Sequence, residues 1–219
     1  MSGRPEAIVF DFDLTLVDSL DGFVESHACA ARAVGLEPPD RRAISRTVGT
    51  PLPEAFRTLY GPGHEPQLAT YLGRYQERAD EVMTDLTKFL DGAREAVERL
   101  QRAGLPLAIV SQKLRYRVED VLRRASLRDA FQLVLGGDDV PALKPDPGGL
   151  LLALRRLEAA PEASFYVGDT PIDADTAQRA GVPFIGVLTG YFGRDELAPF
   201  RPAAVLESVA ELPGYLGIE

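Results

Sequence analysis

The chain has 219 residues, 45% of them apolar, with a net charge of −9, two histidines and one cysteine. That length and apolar content support one large domain or two modest ones, and a single cysteine closes no disulfide within the chain. The acidic balance argues against nucleic acid or an anionic membrane surface as partner, the histidine and cysteine supply is too small for an ordinary zinc site, and no apolar run approaches the roughly 20 residues of a membrane span.

The first element is Ala7-Ile8-Val9-Phe10, which reads as a strand buried on both faces and runs into Asp11-Phe12-Asp13. Side chains alternate along a strand, so Asp11 and Asp13 share one side. Two carboxylates that close repel, and protonating one or binding a cation relieves them. The ordinary alternative is a strand ending in solvated acids before a helix capped by Asp18 or Ser19. That helix is predicted over Leu20 to Gly35, with His27 and Cys29 as packing residues. Residues 40 to 83 show helical spacing with no β run, broken by turns at Thr47 to Pro51 and Gly61-Pro62-Gly63.

From Lys88 onward strands and helices alternate. Asp91 is expected to cap a helix whose apolar face is Ala93, Ala96, Val97 and Leu100. Strands follow at Leu105 to Val110, Gln132 to Leu135, Ser164 to Val167 and Phe184 to Leu188, with a weak one at Ala203 to Leu206. Between them lie helices carrying Val118, Val121, Leu122 and Ala125, then Leu150, Leu151, Leu154 and Leu157, then Pro171 to Ala180. Such alternation implies right-handed βαβ units and a parallel sheet covered on both faces.

In such sheets ligands bind beyond the carboxyl ends of the strands. Ser111-Gln112-Lys113, Lys144 before Pro145, and Gly168-Asp169 all fall there, as do Asp11 and Asp13. Ser111 has an ordinary reading as the N-cap of the next helix, and Thr170-Pro171-Ile172-Asp173 is a good capping box by itself. Asp169 is harder to explain that way. Placed opposite Asp11 and Asp13, it makes three acids around one point, an arrangement that calls for a divalent cation.

These pieces together resemble the haloacid dehalogenase-like hydrolase superfamily, in the phosphoglycolate phosphatase-like branch with a helical cap. Its four motifs match Asp11-Phe12-Asp13-Leu14-Thr15, Ser111, Lys144 before proline, and Gly168-Asp169-Thr170-Pro171-Ile172-Asp173, in order and each after a strand. The resemblance implies an α/β fold, with a Rossmann-like three-layer α/β/α core and a mainly parallel sheet. It implies core residues 1–17 and 87–219 and an all-helical cap domain, 18–86, inserted after the first strand. It also implies a Mg²⁺-dependent phosphatase acting on a small phosphorylated metabolite. Asp11 is then the nucleophile and Asp13 the acid and base. Asp11, Asp169 and Asp173, with the backbone carbonyl of Asp13, are the metal ligands. Ser111 and Lys144 bind the phosphoryl oxygens. Gln112 stands where many relatives carry Asn, and Leu14 where many carry Gly. Arg46, on a turn of the cap, is a candidate for the leaving group, and Arg115 and Arg117 offer further positive charge. Without a basic segment leading into an apolar run near the N-terminus, a cytoplasmic protein is expected, as monomer or homodimer. A pyrophosphatase, a sugar-phosphate mutase and a catalytically silent binding protein on the same fold are the alternatives. The acid at Asp13 disfavours a dehalogenase.

Overall fold

A computed structural model describes residues 4–218, which fall into two compact units, residues 4–17 with 89–218 and Asp18–Lys88. In chain order the elements are β1 (Ile8–Phe10), β2 (Val17–Asp18), α1 (Leu20–Ala33), α2 (Arg41–Ser45), α3 (Leu52–Tyr60), α4 (Leu68–Leu86) and β3 (Lys88–Phe89). They continue with α5 (Ala93–Arg102), β4 (Leu107–Val110), α6 (Arg115–Arg124), β5 (Leu133–Leu135), α7 (Gly148–Leu157) and β6 (Phe165–Gly168). The last are α8 (Pro171–Ala180), β7 (Phe184–Val187), α9 (Arg194–Leu197), β8 (Ala204–Leu206) and α10 (Leu212–Tyr215). Among the described residues no helix is long and apolar enough to cross a membrane.

Six strands form one parallel sheet in the order β5-β4-β1-β6-β7-β8, and β2 pairs with β3 separately. The period of two in β1 builds both cores. Ile8 and Phe10 pack with Val97 and Leu100 of α5 and Val118 and Leu122 of α6. Val9 points the other way, to Leu150 and Leu154 of α7 and Ala174 and Ala177 of α8. Three layers result. Each fully buried aliphatic or aromatic side chain here stabilises the fold by about 1.5–3 kcal/mol.

Because β4 and β6 flank β1 while the chain reaches them by separate excursions, the order of strands reverses around β1. The carboxyl end of β1 is thus a switch point, where a ligand is expected. Two predicted helix starts shift. α5 is capped at Gly92, whose φ of 73° turns the chain, and not at Asp91. α6 begins after Leu114, so Ser111 is not its cap. A glycine is required at 92 for a second reason, since a Cβ there lies 2.7 Å from the Cβ of Ala210.

The helical unit is held by α1 against α4, around Ala30, Ala31, Phe56, Tyr71, Tyr75, Ala79 and Met83. Gly22 lets α4 approach, because a Cβ there comes within 2.6 Å of Met83 Sδ. Gly61 to Gly63, expected as a turn, leads into a short 3-10 helix, Pro62–Gln67. Thr87 closes α4 with a 2.6 Å bond from its hydroxyl to the Met83 carbonyl, and the compact unit ends at Lys88.

His27 is a packing residue of α1, as its setting suggests. Its Nδ1 lies 2.6 Å from the Tyr71 hydroxyl, its ring stacks edge-on to Tyr75, and burial pushes its pKa down to about 4. The folded protein therefore keeps this imidazole neutral where the unfolded chain, with a value near 6.5, binds a proton. Stability from this group is complete above about pH 6.5 and is lost as the pH falls toward 4. In urea titrations the stability gap between wild type and His27→Gln is expected to narrow by about 2 kcal/mol from pH 8 to pH 5. A gap that stays constant would show that the imidazole is not held neutral.

Candidate active site

The acids converge as the chain order of the strands requires. β1 delivers Asp11, whose backbone N–H extends the ladder to the Val167 carbonyl at 2.8 Å. β6 delivers Asp169, and the first turn of α8 delivers Asp173. Carboxylate oxygens of Asp11, Asp169 and Asp173 lie within 4.8 Å of one another, all three residues being buried. Thr170 and Asp173 do form the predicted capping box, with Asp173 Oδ2 accepting from Thr170 N and Oγ1. The other oxygen of Asp173 is turned to the site. One residue therefore caps a helix and serves the cluster.

Lys144 lies among these acids. Its Nζ donates to Asp11 Oδ1 at 2.7 Å, to Asp173 Oδ1 at 2.6 Å and to the Tyr166 hydroxyl at 3.0 Å. Burial works against its charge, but Asp11 and Asp173 more than reverse this and hold it well above the ordinary lysine range. Asp11 is moved the opposite way. Burial raises its carboxyl, Lys144 opposes this, Asp173 adds to it, and the result is about 7. Burial, with Asp173 and Asp11 nearby, likewise pushes Asp169 up.

Asp13 stands apart from the trio. The residues alone suggested Asp11, Asp13 and Asp169 around one point, whereas Asp173 takes that place and the Asp13 carboxylate meets Lys113 Nζ at 2.7 Å. The chain bends sharply between Asp11 and the next helix: Leu14 N donates to the Val17 carbonyl, and Leu14 has φ of 60°. This left-handed conformation suits glycine, and leucine there costs about 1–2 kcal/mol. The Thr189 hydroxyl supports the bend with a 2.6 Å bond to the Leu14 carbonyl.

Ser111 is buried at the end of β4, its N–H on the Leu135 carbonyl and its Oγ accepting from Lys113 N. Gln112 is half-buried in the same turn. Arg46 is exposed at the end of α2, in the helical unit. Arg117 is buried in the first turn of α6, and Arg115 is exposed beside it.

Several supporting residues had no role assigned from sequence. Besides Lys113 they are Tyr166, whose hydroxyl lies 3.1 Å from Asp173 Oδ1, and Thr15, which donates to Asp169 Oδ1 at 2.9 Å. Gly190, past the end of β7, completes the group, since a Cβ there is only 2.0 Å from Asp169 Oδ2. Tyr166 carried a visible signal, as a polar-tipped residue inside an apolar strand.

The donor set suits a hard divalent cation. It is all oxygen, it is buried, and a cation that binds oxygen at 2.0–2.1 Å needs ligands roughly 3–4 Å apart. Charge points the same way. Burial and the crowding of like charge disfavour ionised carboxyls on Asp11 and Asp169, and a bound cation would relieve both.

Residues 8–187 match the family model described as haloacid dehalogenase-like hydrolase. The chain is 33% identical over 213 residues to a phosphoglycolate phosphatase of Rhodobacter capsulatus, covering 96% of each. It is 29% identical over 222 residues to the pyrophosphatase PpaX of Bacillus velezensis, covering 99% of this chain and 98% of the other. A solved haloacid dehalogenase-like hydrolase from Bacteroides fragilis superposes with a TM-score of 0.91 at 34% identity, over 95% of this chain and all of that one. Fold, strand-end chemistry and sequence likeness agree: the chain is a hydrolase and belongs to the haloacid dehalogenase-like family, in its phosphoglycolate phosphatase-like branch.

Proposed function

We propose that the protein is a Mg²⁺-dependent phosphatase that hydrolyses a small phosphate monoester through an aspartyl-phosphate on Asp11. The observation that carries this reading is the convergence of Asp11, Lys144, Asp169 and Asp173 at the switch point, with Asp13 two residues beyond Asp11.

Asp11, Asp169 and Asp173, with the backbone carbonyl of Asp13, would hold Mg²⁺, and the bound ion supplies positive charge that offsets the repulsion between carboxylate and phosphate. An oxygen of Asp11 bonds to phosphorus in line as the bond to the leaving oxygen breaks. Asp13, protonated at that moment, gives its proton to the leaving oxygen. Water then attacks phosphorus, its proton passes to Asp13, and the bond from phosphorus to Asp11 breaks. Ser111 and Gln112 orient the phosphoryl oxygens, and Lys144 balances their charge. Asp173, with both oxygens already engaged, would help to hold the ion through water. Arg46 is the proposed substrate contact on the helical unit.

The test is phosphate release from 2-phosphoglycolate, pyrophosphate, sugar phosphates and nucleotides. Pyrophosphate is included because one of the relatives acts on it by name. Release from at least one compound is expected with Mg²⁺, falling to background with EDTA and returning when Mg²⁺ is restored. No release from any of them would leave a silent binding protein as the better reading.

A further inference from the structure

The turn that follows Asp13 is held from β7, a strand that carries none of the acids. Leu14 has φ of 60°, a left-handed conformation that leucine leaves when nothing opposes the change. Within the turn, Leu14 N donates to the Val17 carbonyl at 2.7 Å and Leu16 N to the Phe12 carbonyl at 3.0 Å. The Leu14 carbonyl finds its partner 175 residues away, in the Thr189 hydroxyl at 2.6 Å.

Thr189 is firmly placed for this contact. It follows β7, which pairs with β6 on one side and β8 on the other, and Leu188 N extends the ladder to the Leu206 carbonyl at 3.0 Å. The next residue, Gly190, lies against Asp169, where a Cβ would stand 2.0 Å from Oδ2. Thr15, just beyond Leu14, donates to the other oxygen of Asp169 at 2.9 Å. Leu14, Thr15, Asp169, Gly190 and Thr189 therefore form a closed ring of contacts.

The consequence falls on Asp13. Lys113 holds one oxygen of its side chain at 2.7 Å, but φ of Leu14 is the torsion that joins the Asp13 peptide group to the rest of the turn. Relaxing that torsion to the ordinary negative range rotates it by roughly 120° and swings Asp13 relative to Thr15 and Asp169. An acid that protonates a leaving oxygen works within about 2.6–3.2 Å of it, so a shift of about 1 Å is enough to disable it.

We infer that Thr189 is a positioning residue, whose hydroxyl keeps the Leu14 turn left-handed and thereby holds Asp13 where it can protonate the leaving oxygen. This rests on the phosphatase reading and deepens it. Thr189 acts through the backbone of Leu14 and needs no contact with substrate.

The test uses the dependence of acid catalysis on the leaving group. The alkoxide of 2-phosphoglycolate needs a proton to leave, whereas p-nitrophenolate leaves without one. The readout is kcat/KM, which covers the steps up to loss of the leaving group and omits the later role of Asp13 toward water. Thr189→Val, isosteric but without a donor, is expected to lower kcat/KM about 10- to 100-fold for 2-phosphoglycolate and about threefold or less for p-nitrophenyl phosphate. Thr189→Ser, which keeps the hydroxyl, should restore most of the loss. Without any substrate, the Leu14 and Leu16 amides should exchange with solvent about 10-fold faster in Thr189→Val. In the folded Val variant, a loss shared equally by the two substrates, no loss, or unchanged exchange would each overturn the inference. A wild type inactive on every phosphate overturns the phosphatase reading, whereas a wild type active on both substrates, with a ratio that does not depend on the Thr189 hydroxyl, overturns only this one.

Discussion

The Asp11→Asn protein is expected to release phosphate on the order of 10⁵-fold more slowly than wild type, yet to be as stable or more so without metal. The two halves of this result have separate causes. Activity falls because an amide oxygen does not form the bond to phosphorus that a carboxylate forms, and no other residue is placed to replace it. Stability holds because Asn is nearly isosteric and its oxygen still accepts the Lys144 hydrogen bond now made to Asp11 Oδ1 at 2.7 Å. The wild-type carboxyl, pushed up to about 7 by burial, is already half protonated at neutral pH, so a neutral group suits the site. Pre-steady-state phosphate assays and metal-free thermal melts measure both halves. Retained turnover would exclude the covalent route, and a large drop in melting temperature would contradict the crowding of charge.

Much of this was legible from local pattern. The parallel sheet followed from apolar runs alternating with helical spacing, and the Thr170–Asp173 box was readable because both partners lie within one helical turn. What stayed hidden was pairing across distance. Lys113 meets Asp13 from 100 residues away, and Lys144 meets Asp11 from 133, so no window of sequence shows either bond. Leu14 shows another limit. Its departure from glycine was visible, but only the backbone reveals that the position demands φ of 60°. Ser111 was open to a capping role because cap and strand-end residues draw on the same small polar types, and the start of α6 after Leu114 decides the matter. Gly190 gave no signal, since the group it makes room for, Asp169, comes from a different strand.

Lys144→Met should be the most destabilising single change at the site, by about 3–5 kcal/mol near pH 8, with turnover reduced about 10²- to 10³-fold in the protein that stays folded. Methionine fills a similar volume, so the penalty is one of charge. Two buried carboxylates, on Asp11 and Asp173, lose the ammonium that stands 2.7 and 2.6 Å from them, and Tyr166 loses a donor. The pH dependence identifies the cause. A carboxyl whose value is raised by folding, as that of Asp11 is to about 7, binds protons that the unfolded chain releases above about pH 4. Its penalty is absent below the unfolded value and grows as the pH rises through the folded one. Removing the ammonium raises Asp11 further, so the deficit of the variant grows as the pH rises through about 7, where the wild-type carboxyl ionises and that of the variant still holds its proton, and it is smaller at pH 5, where both are protonated. Urea titrations of wild type and variant across that window measure it. A deficit equal at pH 8 and pH 5 would mean that the lysine stem matters for its packing and not its charge, and the argument that uncompensated acids draw a divalent cation to this site would lose its footing.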